Sequence, residues 1–337
     1  MKVLVCEQPF EFNMQEREQP VPAPGQALVR IRRIGVCGTD LHAYRGRQPF
    51  FTYPRILGHE LSGEIIQIPD NAQGLKAGDR VAVLPYVSCG KCAACLGNKP
   101  NCCVRLQVLG VHTDGGMQEC ITIAPELLIP VQNLTLEQAA IVECLSIGAH
   151  AVRRAQIRPG ERVLVVGSGP IGLGVMKFVK LAGAEVTAMD IQEDRLRFCR
   201  EWVSTSSEIN AAEDPVGQIE ELTNGDYFPV VFDATGNASS MERSFAYAAH
   251  GGRIVFVGLV QSDISFHDPD FHRKELTLLS SRNATREDFQ TVIRAIEGGH
   301  VDTDKFITHR ASLDRAIDEW EKWLKPETGV IKAMIEL

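Results

Sequence analysis

The sequence predicts an α/β protein with two domains, one built as a barrel of antiparallel strands and one around a doubly wound parallel sheet. Three observations carry this prediction. The length of 337 residues suggests two domains of roughly 150 residues each. The first part of the chain holds short strands that alternate apolar and polar residues. After about residue 150, buried strands alternate with helical segments, which indicates parallel strands joined by right-handed crossovers.

The antiparallel domain is predicted from strands at 27–34, 61–68 and 80–84. The first of them, ALVRIRRI, mixes apolar and polar positions as a half-buried strand does. Segments rich in proline or glycine, at 20–25 and 76–79, separate the strands. A barrel-like antiparallel domain is the natural packing of such strands.

The parallel sheet is predicted from the chain after about residue 150. A run of β-formers at 162–166 is followed by a glycine turn and a helical stretch that reaches Leu181. Further strands, separated by helix-compatible segments, are expected at 185–189, 230–234 and 253–257. From residue 288 the chain supplies two amphipathic helical segments and a final strand at 330–335. Periodicity alone does not decide which domain this tail joins.

Composition and charge describe an ordinary soluble protein. With 44% hydrophobic and 23% charged residues, each domain can bury a core without disulfides. The net charge of -8 argues against a nucleic-acid partner, which requires a clustered basic face. The apolar run at 3–6 is too short for a signal-peptide core, and the run at 163–176 is too short and too interrupted to span a membrane. We therefore expect a cytoplasmic protein without membrane contacts.

A glycine-rich turn, GSGPIG at 167–172, follows the strand at 162–166 and opens a helix. This is the context in which a G-x-G-x-x-G pattern binds a dinucleotide. The first glycine permits the tight turn, the second lets backbone amides approach a pyrophosphate, and the third permits close helix packing. The alternative, a tight turn that binds nothing, is disfavoured by the strand, the spacing and a following acid. The residues assigned to the cofactor here are Gly167, Gly169, Pro170, Ile171 and Gly172.

The acid is Asp190, which ends the next strand about twenty residues on. An acidic side chain there accepts hydrogen bonds from the adenosine ribose and repels a 2′-phosphate, so NAD is favoured over NADP. Arg195 complicates this preference, because it can pair with a phosphate, lie over the adenine or simply be solvated. Thr235, Gly258 and Asn283 are further candidates for contacts with the cofactor.

Four cysteines, Cys89, Cys92, Cys95 and Cys103, lie in one short segment. In a chain without an export signal, such grouping favours a metal over disulfides. Four thiolates satisfy tetrahedral zinc and leave no open position, so the site is predicted to be structural, in a lobe of about residues 86–104. Redox-active or incidental thiols are the alternative. The neighbouring Cys102 leaves the fourth ligand ambiguous.

A second group of possible ligands is dispersed along the chain. It consists of Cys37, Thr39 and His42 in GVCGTDLH, His59 and Glu60 in GHE, and Glu143. Each of these residues is individually unremarkable, and a lone His-Glu pair is more often a surface or core feature than a ligand set. Spacing alone leaves this site open.

The sequence resembles the zinc-containing medium-chain dehydrogenase family over essentially its whole length. The motifs GVCGTDLH, GHELSGEI, CGKCAACLGNKPNCC and VLVVGSGPIGLG occur in the order and spacing of that family. The resemblance implies a GroES-like β-barrel catalytic domain, formed by residues 1–147 and 286–337, and a Rossmann NAD-binding domain at 148–285. It also implies two zinc ions, one structural and one catalytic.

The catalytic zinc is assigned by this resemblance to Cys37, His59 and either Glu60 or Glu143. In the alcohol dehydrogenase branch a cysteine often stands at the position of Glu143. In the sorbitol dehydrogenase branch a glutamate stands there and reaches the metal through water, while the equivalent of Glu60 is the direct ligand. Glu143 therefore makes this chain similar to the polyol dehydrogenases.

Within the family, the sequence is most similar to bacterial sugar-acid dehydrogenases of the L-galactonate and L-gulonate 5-dehydrogenase type. The segments that carry this likeness are QPFFTYPRILGHE, LGVHTDGG, HDPDFHRKE and SSRNAT. The implied reaction transfers hydride from a secondary alcohol to NAD and leaves a keto sugar acid. A polyol or L-threonine dehydrogenase is the first alternative. A non-catalytic NAD-binding regulator is the second, and an intact zinc ligand set argues against it.

The implied chemistry gives roles to further residues. Thr39 and His42 are expected to carry the substrate proton out of a closed site, with a turn hydroxyl and a surface imidazole as their ordinary alternatives. A substrate carboxylate is best recognised by a bidentate arginine. The candidates are Arg45, Arg47, Arg282 and Arg310, with His112 as a neutral donor. Members of the family form dimers and tetramers, so a homo-oligomer is expected.

Overall fold

The computed structural model describes residues 1–48 and 51–337, and these form two compact units. The first unit comprises Met1–Cys144 and Thr285–Leu337, and the second comprises Leu145–Ala284. The tail that periodicity left unassigned therefore belongs to the first unit. Pro49 and Phe50, which belong to the QPFFTYPRILGHE segment, lie outside the described residues. Within the described chain, no helix combines the length and the apolar character needed to cross a membrane.

The first unit opens with a hairpin that was not expected from the sequence, β1 (Lys2–Gln8) paired with β2 (Glu11–Glu16). The apolar run at 3–6 is buried in it. The strands that follow are β3 (Ala27–Val36), β4 (Arg55–Ile56), β5 (Glu60–Gln67), β6 (Arg80–Val83), β7 (Tyr86–Val87), β8 (Gln107–Val108), β9 (Cys120–Ile123) and β10 (Leu128–Pro130). The helices of this stretch are α1 (Gly38–Tyr44), α2 (Ala93–Leu96) and α3 (Leu136–Ala140), and α4 (Val142–Ala155) begins at its end and continues into the second unit.

The second unit is a parallel sheet with alternating helices. Its strands are β11 (Arg162–Val166), β12 (Glu185–Asp190), β13 (Ser207–Asn210), β14 (Phe228–Asp233), β15 (Ala248–Phe256) and β16 (Thr277–Ser280). Its helices are α5 (Pro170–Leu181), α6 (Glu193–Val203), α7 (Pro215–Thr223), α8 (Ala238–Tyr247) and α9 (Asp268–Arg273). The strand order is β13-β12-β11-β14-β15-β16 with parallel pairings throughout. The order reverses between β11 and β14, and in such sheets a dinucleotide binds beyond the carboxyl ends of the strands at that point.

The tail returns to the first unit. It contributes α10 (Arg286–Glu297), α11 (Thr303–Phe306), β17 (Ile307–Ser312), α12 (Ala316–Trp323) and β18 (Lys332–Glu336). The main sheet of this unit has the order β10-β6-β5-β3-β18-β17, with β9 also paired to β3. Most pairings are antiparallel, while β17 and β18 run parallel. The predicted combination of a barrel-like antiparallel domain and a doubly wound parallel sheet is confirmed.

Helix α12 packs on the N-terminal hairpin through aromatic side chains. Trp320 is fully buried, and its ring centroid lies 4.8 Å from that of Phe12 and 5.8 Å from that of Trp323. The Tyr44 hydroxyl donates a hydrogen bond to Glu321 Oε1 at 2.7 Å. These contacts hold the first and last segments of the chain in one core, which positions β18 beside β3.

Truncation of Trp320 tests this arrangement. We expect Trp320→Ala to lower the free energy of unfolding by about 3–5 kcal/mol, because a large side chain is removed from a close-packed core. Ile317→Ala on the same helix is the matched control, since Ile317 is 36% exposed. Chemical denaturation of the two variants measures the difference. Equal losses from both would show that the aromatic contacts do not anchor the tail.

Candidate metal centres and cofactor site

The cysteine lobe, defined here as residues 89–103, is inserted between the paired strands β7 and β8. The sulfur atoms of Cys89, Cys92, Cys95 and Cys103 all lie within 4.8 Å of one another. The exposed Cys102 is not part of this set, which favours Cys103 as the fourth ligand. A set of four thiol ligands matches a closed tetrahedral zinc site.

The surroundings lower the pKa of Cys89 and Cys92 and so favour their thiolate form, while burial and the neighbouring Cys92 raise the pKa of Cys95 to about 11. The backbone N–H of Lys91, together with the guanidinium of Arg105, lowers the pKa of Cys89 to about 5. Arg105 Nη2 donates to Cys89 Sγ at 3.4 Å, and the backbone amides of Cys89 and Arg105 donate to Cys103 Sγ at 3.3 and 3.4 Å. Thiolates are the species that bind zinc. The cluster therefore fits a structural zinc ion.

The second candidate centre brings together residues from two adjacent strands. Cys37 follows the end of β3 and caps α1, while His59 and Glu60 lie at the start of β5. Ligand atoms of Cys37, His59 and Glu60 lie within 4.8 Å of one another. Gly35 sits opposite Glu60 in the β3–β5 ladder, and a Cβ there would lie 2.1 Å from Glu60 Oε2. Gly35, the first glycine of GVCGTDLH, thus leaves the space that the Glu60 carboxylate occupies.

Sequence reasoning missed Asp40, which joins the two halves of this centre. Its carboxylate is fully buried and accepts hydrogen bonds from the backbone amides of Cys37 at 2.9 Å and Gly58 at 3.2 Å. Oδ1 of Asp40 lies 3.6 Å from Nδ1 of His59. A carboxylate behind a ligating histidine fixes its ring orientation and raises its basicity. The only signal in the sequence was an acid inside a short helix beside Cys37.

The two glutamates near this centre have different partners. Glu60 belongs to the set with Cys37 and His59, and Glu143 does not, which favours Glu60 as the direct third ligand. Both oxygens of Glu60 accept hydrogen bonds from Lys332 Nζ, at 2.6 and 2.8 Å. Glu143 Oε1 instead accepts a hydrogen bond from the Tyr86 hydroxyl. Lys332 and Tyr86 were also missed, and a lysine inside the apolar strand at 330–335 was the one available signal.

The electrostatics of the buried centre favour a cation. Burial raises the pKa of Glu143 to about 7, against the opposing influence of His59. Burial works against protonation of His59, yet Asp40 and Cys37 hold its pKa well above its usual range. A site that draws positive charge onto a buried imidazole also stabilises Zn²⁺ there. Sulfur, nitrogen and carboxylate donors in one buried set fit a catalytic zinc with an open position.

Thr39 and His42 both lie on α1, the helix capped by Cys37. Thr39 is in the first turn and half-buried, while His42 is in the last turn with part of its ring exposed. Partial burial, together with the charges of Arg45 and Arg47, lowers the pKa of His42. One short helix therefore carries a hydroxyl near the metal ligands and an imidazole at the surface.

In the second unit, the glycine-rich turn has the geometry that its motif predicts. Gly167 ends β11 with φ +93, and a Cβ on Gly172 would lie 1.8 Å from the Gly167 carbonyl oxygen. At Gly169, by contrast, the atom closest to an added Cβ is Arg195 Nη1 at 4.0 Å. Pro170 and Ile171 begin α5, whose N-cap Gly169 provides no side chain to bond the first amides. Open space beside Gly169 and the amino-terminal end of α5 thus meet where a pyrophosphate is expected.

Asp190 and Arg195 both contact this turn. Asp190 ends β12, and its oxygens accept hydrogen bonds from the backbone amides of Ser168 at 2.7 Å and Gln192 at 3.0 Å. Arg195 Nη1 donates to the Ser168 carbonyl oxygen at 3.2 Å. The guanidinium therefore lies against the glycine-rich turn, which leaves its predicted roles toward adenine or phosphate open.

The remaining candidates lie at the carboxyl ends of neighbouring strands. Thr235 follows β14, and its Cγ2 lies 2.9 Å from an added Cβ on Gly167. A Cβ on Gly258 would lie 2.4 Å from the Gly236 backbone nitrogen, so the loops after β14 and β15 touch through their backbones. Asn283 adopts a left-handed conformation with φ 53. The buried Asp233, also missed from sequence, fixes Thr235 by accepting hydrogen bonds from its amide at 2.9 Å and its hydroxyl at 2.6 Å.

Fold and site together define a zinc-binding, dinucleotide-dependent dehydrogenase. Residues 23–133 match the alcohol dehydrogenase GroES-like domain, and residues 170–298 match the zinc-binding dehydrogenase domain. The chain therefore belongs to the zinc-containing medium-chain alcohol dehydrogenase family. It is an NAD-dependent oxidoreductase that acts on CH–OH groups, as predicted, and zinc is its metal.

Particular relatives narrow the comparison. L-galactonate-5-dehydrogenase of Escherichia coli (strain K12) is 43% identical over 99% of this chain and 98% of its own length. Sorbitol dehydrogenase of Bacillus subtilis (strain 168) is 30% identical over 99% of this chain and 97% of its own. A solved structure, described as a short chain alcohol dehydrogenase (rspB) from Escherichia coli CFT073 complexed with NADH, has a TM-score of 0.93 and 30% identity, covering 100% of this chain and 99% of its own. The chain thus catalyses the kind of reaction that polyol and sugar-acid dehydrogenases catalyse.

Replacement of Asp40 tests its support of the metal centre. We expect Asp40→Asn to weaken zinc binding at the Cys37–His59–Glu60 centre by roughly 10- to 100-fold, the usual effect of losing a carboxylate behind a histidine ligand. Competition with a chromophoric chelator measures the affinity. Asp314→Asn, which alters only an exposed ion pair with Lys2, is the matched control. Unchanged zinc affinity in Asp40→Asn would contradict the assigned role.

Substitutions at Gly169 and Gly172 of the turn distinguish an effect on cofactor binding from an effect on folding. At Gly169 an added methyl group meets Arg195 Nη1 at an ordinary contact distance of 4.0 Å, so Gly169→Ala should preserve thermal stability and weaken NADH binding by about tenfold or more. At Gly172 the methyl group meets the Gly167 carbonyl, so Gly172→Ala should lower stability as well. Melting curves and NADH fluorescence titrations provide the two readouts. Equal NADH affinity in Gly169→Ala and the parent protein would exclude a pyrophosphate at this turn.

Proposed function

We propose that this protein oxidises a secondary alcohol of a sugar acid of the L-galactonate or L-gulonate type to a ketone, with NAD as hydride acceptor. The observation that carries the proposal is the 43% identity, over nearly the full length of both chains, to an L-galactonate-5-dehydrogenase. A second relative, 31% identical over 90% of this chain, is a 2-dehydro-3-deoxy-L-galactonate 5-dehydrogenase of Pseudoalteromonas atlantica. Both act on acidic sugar derivatives, as their names state.

Cys37, His59 and Glu60 would hold the catalytic zinc, and the cysteine lobe would hold the structural one. A zinc ion with an open position lowers the pKa of a bound hydroxyl and stabilises the developing negative charge. Asp40 keeps the His59 ring oriented, and Lys332 balances the charge of Glu60. In the second unit, the glycine-rich turn and Asp190 would hold the dinucleotide, which would supply the hydride acceptor.

Proton removal is assigned to α1. The Thr39 hydroxyl accepts the substrate proton and passes it onward, and His42 releases it to solvent from the exposed last turn. Because the pKa of His42 is lowered, its imidazole stays neutral at pH values where an ordinary histidine is already protonated. The neutral ring can accept the proton from inside the site and release it to solvent.

Recognition of a carboxylate is assigned to Arg45 and Arg47. Both follow α1, and the charge of both acts on His42. Arg45 Nη2 donates to the Leu324 carbonyl oxygen at 3.4 Å, whereas the guanidinium of Arg310 binds both oxygens of Glu137 at 3.0 and 2.9 Å. Arg310 is the weaker candidate, because a bidentate ion pair engages it more fully. His112 is partly committed as well, since its Nδ1 accepts the Val108 amide at 3.1 Å.

A substrate panel tests the proposed function. NADH formation by the zinc-loaded protein is measured with L-galactonate, L-gulonate, L-idonate, sorbitol, galactitol and L-threonine. Turnover confined to the acids supports the proposal, and Arg45→Gln or Arg47→Gln should then reduce kcat/KM for the acids by about tenfold or more. Arg197→Gln, which alters an exposed pair with Asp194, is the control. Turnover of neutral polyols or threonine, without the acids, would refute the sugar-acid proposal.

The pH profile tests His42. Because its pKa is lowered, the acidic limb of kcat/KM that reports His42 should lie below pH 6.5 or so. Removal of a neighbouring positive charge in Arg45→Gln should raise the pKa and move that limb to higher pH. The position of the limb is the readout, since its height also reflects substrate binding. A limb that stays in place in Arg45→Gln, as in the Arg197→Gln control, would remove His42 from the proton path.

A further inference from the structure

We propose that Tyr86 is a positioning residue that couples the cysteine lobe to the catalytic metal centre by fixing Glu143. The coupling concerns residues of the first unit only, and it does not depend on which alcohol the enzyme oxidises. Structural and catalytic metals are then linked: occupancy of the lobe sets the orientation of a carboxylate beside the second metal.

The contact between Tyr86 and Glu143 is buried at both ends. Tyr86 is 6% exposed and Glu143 is 4% exposed, and the phenol donates its hydrogen bond to Glu143 Oε1. Glu60, the neighbouring carboxylate, has a separate partner in Lys332. Within a buried environment a single well-directed hydrogen bond is strong, and its loss leaves the carboxylate to find another orientation. Tyr86 therefore donates to one glutamate, while Lys332 donates to the other.

The position of Tyr86 depends in turn on the lobe. Tyr86 and Val87 form β7, whose ladder with β8 covers only the pairs Tyr86–Val108 and Val87–Gln107. One flanking bond, from the Leu109 amide to the Pro85 carbonyl oxygen at 3.1 Å, extends it. A two-stranded ladder of this size is not stable by itself in water. The segment enclosed by the ladder must therefore be closed in another way.

The lobe has little apolar packing with which to close that segment. Leu96, the large aliphatic side chain of residues 89–103, is 77% exposed. Cys89 and Cys103, two of the four sulfur ligands, lie next to the ladder at the two ends of the lobe. A metal that draws these ends together supplies the closure, because binding free energy becomes folding free energy in such sites. Loss of the lobe metal should then loosen β7 and release Tyr86 from Glu143.

The first experiment is Tyr86→Phe, in protein that carries Zn²⁺ in the cysteine lobe and Co²⁺ in the Cys37–His59–Glu60 centre. We expect the visible absorption bands of Co²⁺ to shift and kcat to fall by roughly 10- to 100-fold, with KM for NAD unchanged. Tyr227→Phe is the matched control, since Tyr227 also donates to a glutamate, Glu220 Oε1 at 2.6 Å, but on the exposed surface of the second unit. Cobalt bands identical in Tyr86→Phe and the parent protein would overturn the proposal.

The second experiment asks whether the lobe acts through Tyr86. Cys95→Ser removes one lobe ligand, and Arg105→Gln is the milder variant to use if that protein does not fold. Either change should shift the Co²⁺ bands in the parent background and add no further shift in the Tyr86→Phe background. Release of lobe zinc to a chelator confirms that the lobe is weakened in both. A shift of equal size in both backgrounds, or none in the parent, would show that the lobe does not act through Tyr86.

Discussion

A buried ion pair between Lys332 and Glu60 links two strands of the first unit at the candidate metal centre. The lysine comes from β18 and the glutamate from β5, and their side chains are 2% and 0% exposed. Lys332 also donates to the Val36 carbonyl oxygen at 3.1 Å, directly before Cys37. Removal of one partner from such a pair typically costs about 3–5 kcal/mol, because an uncompensated charge stays buried. The pair thus links β18 to β5 across β3, and it also fixes the position of the proposed metal ligand Glu60.

The same centre concentrates negative charge, which explains much of its construction. Cys37, Asp40, Glu60 and Glu143 are all acidic groups around one histidine, and three of them are fully or nearly fully buried carboxylates. Buried anions are tolerated where cations or hydrogen-bond donors compensate them. Lys332, the backbone amides on Asp40 and the phenol on Glu143 supply part of this compensation. A divalent metal supplies the rest, so the site is built for a cation.

Features encoded by neighbouring residues could be predicted from the sequence, and features that depend on distant contacts could not. The turn at 167–172 and the four cysteines are local patterns whose geometry follows from spacing, and the structure places them as the motifs indicate. Most predicted strands also lie within a few residues of their observed bounds. The β1–β2 hairpin was missed because its apolar run was weighed only as an export signal. Lys332 could not be matched to Glu60, since 272 residues separate them in the chain.

The division of the first unit between the two ends of the chain has a consequence for biosynthesis. Glu60 and Gly35 are made early, while Lys332 and the rest of β18 emerge only after the whole of the second unit. Until then β3 lacks its pairing with β18 along Arg33–Val36, and the carboxylate of Glu60 lacks its counter-ion. The second unit is continuous in the chain and can fold as soon as it has emerged, since domains generally fold as units during synthesis. The barrel therefore remains incomplete until the end of synthesis, when Lys332 supplies the counter-ion of Glu60.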